Sequence, residues 1–141
     1  MTSERTPQPI GIAVVEFRGR YLVGLRGPES SLPGHAEFPG GKCLPKESPG
    51  LAACRECLEE TGLQVKTVDL LMRRTFAYPT GSVDLHFWLC RPADPEQVAE
   101  KHQGFRWVPG VELDSLKFPE ANLPLIKELV RRATESHGQS R

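Results

Sequence analysis

The chain has 141 residues, of which 38% are hydrophobic and 26% charged, and its 18 basic and 18 acidic side chains give a formal net charge of zero. This size suits one ordinary domain with one sizeable core, and the balanced charge exerts no global pull toward nucleic acid polymers or membrane surfaces. No apolar run approaches the roughly 20 residues of a spanning helix, and the opening MTSERTPQPIG lacks the apolar centre of a secretory signal, so a cytoplasmic protein is expected, monomeric or homodimeric, whose function lies in a local site.

In chain order, the polar, proline-containing start is expected as a loose arm, with residues 1–8 and 135–141 as flexible tails of a single domain spanning 1–141. IGIAVVEF (10–17) and YLVGLR (21–26) predict two antiparallel strands joined by a turn at Arg18-Gly19-Arg20. Residues 27–36 carry too much Gly, Pro and Ser for regular structure and form a surface loop, and EFPGGK then leads into a loop and helix. After Gly62, β-favouring residues 63–78, a turn at Pro79-Thr80-Gly81 and VDLHFWLC (83–90) predict a second hairpin. Residues 91–103 read as a loop or short irregular helix, 105–108 as a strand and 111–116 as one helical turn. Leu123, Ile126, Leu129 and Val130 stand at helical spacing and predict an amphipathic helix over 120–133. Strands interleaved with two helices imply an α/β fold, a mixed sheet covered on both faces.

The chemistry concentrates in GGKCLPKESPGLAACRECLEETGL (40–63). Pro49 after Ser48 marks a helix start and Gly62 its left-handed end, which predicts a helix over 49–61. Glu56, Glu59 and Glu60 fall on one arc of that helix, while Leu51, Cys54 and Leu58 are expected on an opposite, core-facing side. The spacing between Glu56 and Glu60 places like charges one turn apart, so a cation is expected there. Carboxylates clustered on a rigid element suit Mg²⁺, which completes its shell with water and substrate phosphate. The cysteines do not suit zinc: Cys54 and Cys57 share the helix, and Cys43 and Cys90 form no second close pair. Free thiols in a reducing compartment are expected.

Gly41, five residues, Glu47, seven residues and then Arg55-Glu56-Cys57-Leu58-Glu59-Glu60-Thr61-Gly62-Leu63 resemble the signature of the Nudix hydrolases at every fixed position. Cys57 is the one soft departure, standing where the family usually has Leu, Ile or Val; a buried thiol serves as a small hydrophobe. The resemblance implies an α/β/α sandwich with a mixed central sheet, and hydrolysis of a nucleoside diphosphate linked to another group with Mg²⁺ or Mn²⁺ as cofactor. It implies metal ligation by Glu56, Glu59 and Glu60 with Gly41, and a further acid from outside the helix, for which Glu100 is the nearest candidate and Glu96 its competitor. It gives Arg55 the task of holding Glu47, and leaves either Glu56 or Glu47 to deprotonate the attacking water. Gly40 and Gly41 let the loop approach a phosphate, and Lys42 either touches phosphate or is solvated.

EFPGGK and FPEAN (118–122) are similar to MutT-like members that hydrolyse 8-oxo-dGTP. That similarity implies nucleotide contact by Arg26 and recognition of the oxidised guanine by Asn122, whose amide offers both donor and acceptor. A helix N-cap is the competing role for Asn122. Base stacking and core packing both suit Phe38. Three readings follow: a MutT-like pyrophosphohydrolase, a Nudix enzyme for another diphosphate such as a nucleotide sugar, dinucleoside polyphosphate or ordinary dNTP, and a non-catalytic nucleotide-binding module. The complete glutamate set argues against the third.

Overall fold

The computed structural model describes residues 6–30 and 32–139. Its elements are β1 (Gln8–Phe17), β2 (Arg20–Leu25), β3 (Ala36–Glu37), β4 (Gly40–Lys42), α1 (Pro49–Thr61), β5 (Val65–Tyr78), β6 (Gly81–Pro92), β7 (Lys101–His102), β8 (Phe105–Pro109) and α2 (Leu123–Gln139), with short 3₁₀ turns between β6 and β7 and ahead of α2. The sheet runs β5-β6-β1-β2-β8-β7, with β3 on β2 and β4 on β1. Its β1–β6 pair is parallel and its other pairs antiparallel, so the sheet is mixed.

The first hairpin closes where expected because Arg18 and Gly19 both take left-handed φ values of 53° and 78°, the two-residue turn whose twist matches paired strands. β1 is the spine. Its alternating side chains feed two cores: Ile12 and Val14 join Leu125, Ile126 and Leu129 of α2, whereas Ala13 and Val15 join Ala53 and Cys57 of α1. One helix therefore covers each face of an α/β sandwich.

α1 starts and stops as its caps dictate. Ser48 accepts a hydrogen bond from the Leu51 N–H at 3.3 Å, and left-handed Gly62 donates to the Leu58 carbonyl at 2.9 Å. The expected core face is overturned. Leu51 and Leu58 are 65% and 48% exposed, Cys54 is only partly buried, and the fully packed residues are Ala52, Ala53, Cys57 and Thr61. The reason is close approach: a Cβ on Gly11 of β1 would stand 2.1 Å from the Pro49 carbonyl oxygen and 2.7 Å from the Ala53 nitrogen. Only small side chains fit between helix and strand, so the leucines turn outward. The acidic arc then borders the core.

Three smaller expectations are also corrected. The N-terminal arm is shorter, since β1 begins at Gln8, and the part of it at residues 1–5 lies outside the described residues. Helix α2 runs on to Gln139, and only 140–141 of the proposed tail lie outside the described residues. Ala36 and Lys101-His102, expected in loops, pair as the edge strands β3 and β7.

Candidate active site

Strand β4 and the following loop bring the chain back beneath α1. Gly41 pairs with Gly11 of β1, and a Cβ built on Gly41 would lie 2.4 Å from the Glu56 carboxyl carbon. Glycine is required here because the carboxylate of Glu56 rests directly on the backbone of the loop. In that loop Glu47 accepts the Leu44 N–H at 2.9 Å and receives Arg55 through Nε at 2.8 Å and Nη2 at 3.0 Å. The same guanidinium donates to Glu56 at 3.2 Å, to Glu59 at 3.1 Å and to the Lys42 carbonyl at 3.1 Å. Arg55 thus ties the loop to the acidic face. Its contacts raise its already high pKa, Glu47 foremost, and they hold the Glu47 carboxyl below the usual carboxylate range.

Glu56 and Glu60 form the second part. Burial pushes the Glu60 carboxyl up to about 8, and a hydrogen bond with Glu56 together with its charge pushes the same way; a backbone hydrogen bond from Gly40 opposes them. A cation beside Glu60 would favour its charged form against these effects. Carboxylate oxygens on a rigid helix are the donor type a divalent ion such as Mg²⁺ takes, while among the described residues no three acidic, His or Cys side chains converge into a group that could hold one.

Of the acids expected outside the helix, Glu100 is exposed just ahead of β7 and forms no hydrogen bond or ion pair among the described residues, and Glu96 is exposed as well. The outside acid that the fold brings close is Glu37 of β3, whose charge contributes to the raised Glu60 pKa and whose own carboxyl is raised by burial and lowered by Arg26. Its position before the FPGGK stretch was the available signal, but pairing of β3 with Gly24 of β2 is what aims it.

A cleft of about 740 Å³ opens beside this face, within the range of small-molecule sites. It is lined by all six residues expected to bind substrate: Arg26, Phe38, Gly40, Gly41, Lys42 and Asn122. Glu37 and Tyr78 line it too. Phe38 is 6% exposed and stacks on Phe118 at 5.1 Å, so it forms a packed wall. Tyr78, at the tip of the β5–β6 hairpin, is 45% exposed and is the aromatic ring that offers open surface. Nothing in the local sequence distinguished it, because its place in the cleft depends on a hairpin remote from the glutamate helix. Asn122 ends a 3₁₀ turn, and its carboxamide makes no hydrogen bond among the described residues, so it does not cap α2.

The arrangement of an arginine-buttressed loop, a glutamate helix and a flanking cleft matches a known class. The family model described as NUDIX domain matches residues 11–128, and the chain belongs to the Nudix family. It is 32% identical over 123 residues to the 8-oxo-dGTP diphosphatase of Escherichia coli (strain K12), covering 86% of this chain and 95% of that protein. The 8-oxo-dGTP diphosphatase of Haemophilus influenzae is 37% identical over 121 residues, covering 85% and 88% respectively. The solution structure of a MutT protein from methicillin-resistant Staphylococcus aureus 252 superposes with a TM-score of 0.69 at 25% identity, covering 90% of this chain and 99% of that one. The chain is a MutT-like Nudix pyrophosphohydrolase.

Proposed function

We propose that the enzyme hydrolyses 8-oxo-dGTP to the nucleoside monophosphate and pyrophosphate with Mg²⁺, for which Mn²⁺ substitutes. The observation that carries this reading is the cleft itself: it runs from the Asn122 carboxamide to the Gly41 backbone on which Glu56 rests. The cleft that holds Asn122 thus reaches the loop backbone against which the Glu56 carboxylate packs. Relatives named 8-oxo-dGTP diphosphatase support the choice of nucleotide.

Each residue has a distinct task in this reading. Glu56, Glu59 and Glu60 hold the cation, with the Gly41 backbone beside them. A divalent ion held there would supply positive charge against the diphosphate and assist activation of the attacking water. Glu47 is a poor base because its oxygens already accept Arg55 and the Leu44 N–H. Glu56 is the better proton acceptor. Lys42 and Arg26 supply positive charge along the cleft, Tyr78 offers a face to the base, and the Asn122 amide pairs with the purine edge.

Steady-state turnover of the purified protein with Mg²⁺, across canonical and oxidised nucleotides with products identified, tests this directly. Preference for 8-oxo-dGTP over dGTP with release of pyrophosphate is the expected result. A higher kcat/KM for an ordinary dNTP, a nucleotide sugar or a dinucleoside polyphosphate would replace the substrate while keeping the site.

A further inference from the structure

The contact between α1 and β6 holds a pair of thiols that the hydrolytic site does not use. Cys90 of β6 lies opposite Thr67 of β5, fully buried in the cluster that includes Ala53, Cys57 and Leu63. The first half of α1 crosses this strand pair: a Cβ at Gly50 would stand 3.4 Å from the Trp88 ring and 3.6 Å from Thr67 Cγ2. One turn further on, Cys54 packs against the same cluster, beside the Cys90 thiol and the Thr67 backbone. Cys57 faces Thr61 instead, and Cys43 lies in the loop after β4. Of the two, Cys54 is partly exposed and Cys90 fully buried.

We propose that Cys54 and Cys90 are an oxidation site at which a hydroperoxide closes a disulfide between α1 and β6 and so disables the glutamate helix. Access sets the order of events. The Cys54 sulfur attacks one oxygen of hydrogen peroxide, the O–O bond breaks, the thiol proton passes to the departing hydroxide, and Cys54 becomes a sulfenic acid as water leaves. The Cys90 sulfur then attacks that of Cys54, forming the S–S bond and releasing a second water. Two thiols lose two electrons and the peroxide gains them.

The consequence follows from lengths and sequence position. An S–S bond is about 2.05 Å, shorter than any non-bonded approach of two sulfurs, so closure draws residue 54 toward β6. Arg55 and Glu56 are the next two residues, and Glu56 already rests against the Gly41 backbone with no room to spare. Displacement of a reacting group by about 1 Å costs on the order of a hundredfold in rate.

The test treats the full-length protein with hydrogen peroxide and reads both a peptide map and turnover. The expected result is a linked peptide pair containing Cys54 and Cys90, turnover reduced at least about tenfold, and reversal of both by dithiothreitol. Cys90→Ala, and independently Cys54→Ala, should retain activity after the same treatment. The proposal is overturned by linkage through Cys43 or between two chains, by oxidised Cys54 with no bond to Cys90, or by unchanged turnover in the linked protein. Equal inactivation of wild type and both variants also overturns it. The peptide map decides whether the bond forms whichever nucleotide the enzyme hydrolyses.

Discussion

Arg55 and Glu47, one on the helix and one in the loop before it, meet through two parallel hydrogen bonds of 2.8 and 3.0 Å. This planar pairing depends on the guanidinium fork, which lysine lacks. Because the same side chain also reaches Glu56, Glu59 and the Lys42 carbonyl, its removal should loosen the whole acidic face. Arg55→Lys is expected to lower kcat by about tenfold to a hundredfold with a smaller change in KM. Rates near those of wild type would show that the loop holds Glu47 without it.

Glu59 is more than half exposed and held from one side by Arg55, so it carries little of the fold. As a proposed metal ligand it matters to the reaction instead. Glu59→Gln should lower kcat by orders of magnitude, since lost transition-state charge stabilisation amounts to several kcal/mol, while circular dichroism stays unchanged. Activity within about threefold of wild type would remove it from the ligand set.

Glu60 provides a pH test. Its carboxyl is raised from 4.5 to about 8 by burial and by Glu56, so between those values the folded chain binds more protons than the unfolded one. Stability in chelator should therefore fall as pH rises from about 4.5 toward about 8 and level off above that. The buried His102, with a lowered pKa, contributes in the opposite direction, which makes the difference between wild type and Glu60→Gln the informative quantity. Melting temperatures should fall more steeply with pH for the wild type than for the variant. Saturating Mg²⁺ should raise the wild-type curve and flatten it, because the cation takes over the role of the proton. Parallel curves with and without chelator would refute the proposed cation site.

Local signals made α1 readable to its ends: Ser48, Pro49 and Gly62 act through backbone geometry within a few residues of one another. The Arg18-Gly19 turn was legible for the same reason. Orientation was less so. Periodicity placed Leu51 and Leu58 inward, but Gly11, distant in sequence, admits only alanine-sized groups between strand and helix. Glu37, Tyr78 and the packing of Cys54 against the cluster that holds Cys90 escaped detection because each depends on strand pairing or packing between separate elements. Residues joined by the signature, namely Gly41, Glu47, Arg55 and Glu56, are brought together in space, whereas Glu100, chosen only for its place along the chain, forms no hydrogen bond or ion pair among the described residues.

Asn122 separates recognition of the oxidised base from structural support. Its side chain lines the cleft and makes no hydrogen bond among the described residues, so Asn122→Ala should leave the melting temperature nearly unchanged, whereas loss of a helix cap would destabilise the fold by about 1 kcal/mol. An unpaired edge of 8-oxoguanine in a half-buried site costs roughly 1–3 kcal/mol, which is about fivefold to 150-fold in kcat/KM at 1.36 kcal/mol per decade. That loss should fall on 8-oxo-dGTP much more than on dGTP, because an amide that pairs with a base discriminates only where its partner atoms differ. Asn122→Asp sharpens the result: it keeps one oxygen acceptor and removes the amide donors, so discrimination should drop even if the fold is unaffected. The measurement is kcat/KM for both nucleotides on wild type and the two variants, beside thermal melts. Equal losses on both substrates, or a melting temperature lowered by Asn122→Ala and restored by Asn122→Asp, would return Asn122 to a structural role and leave recognition of the base to Arg26 and Tyr78.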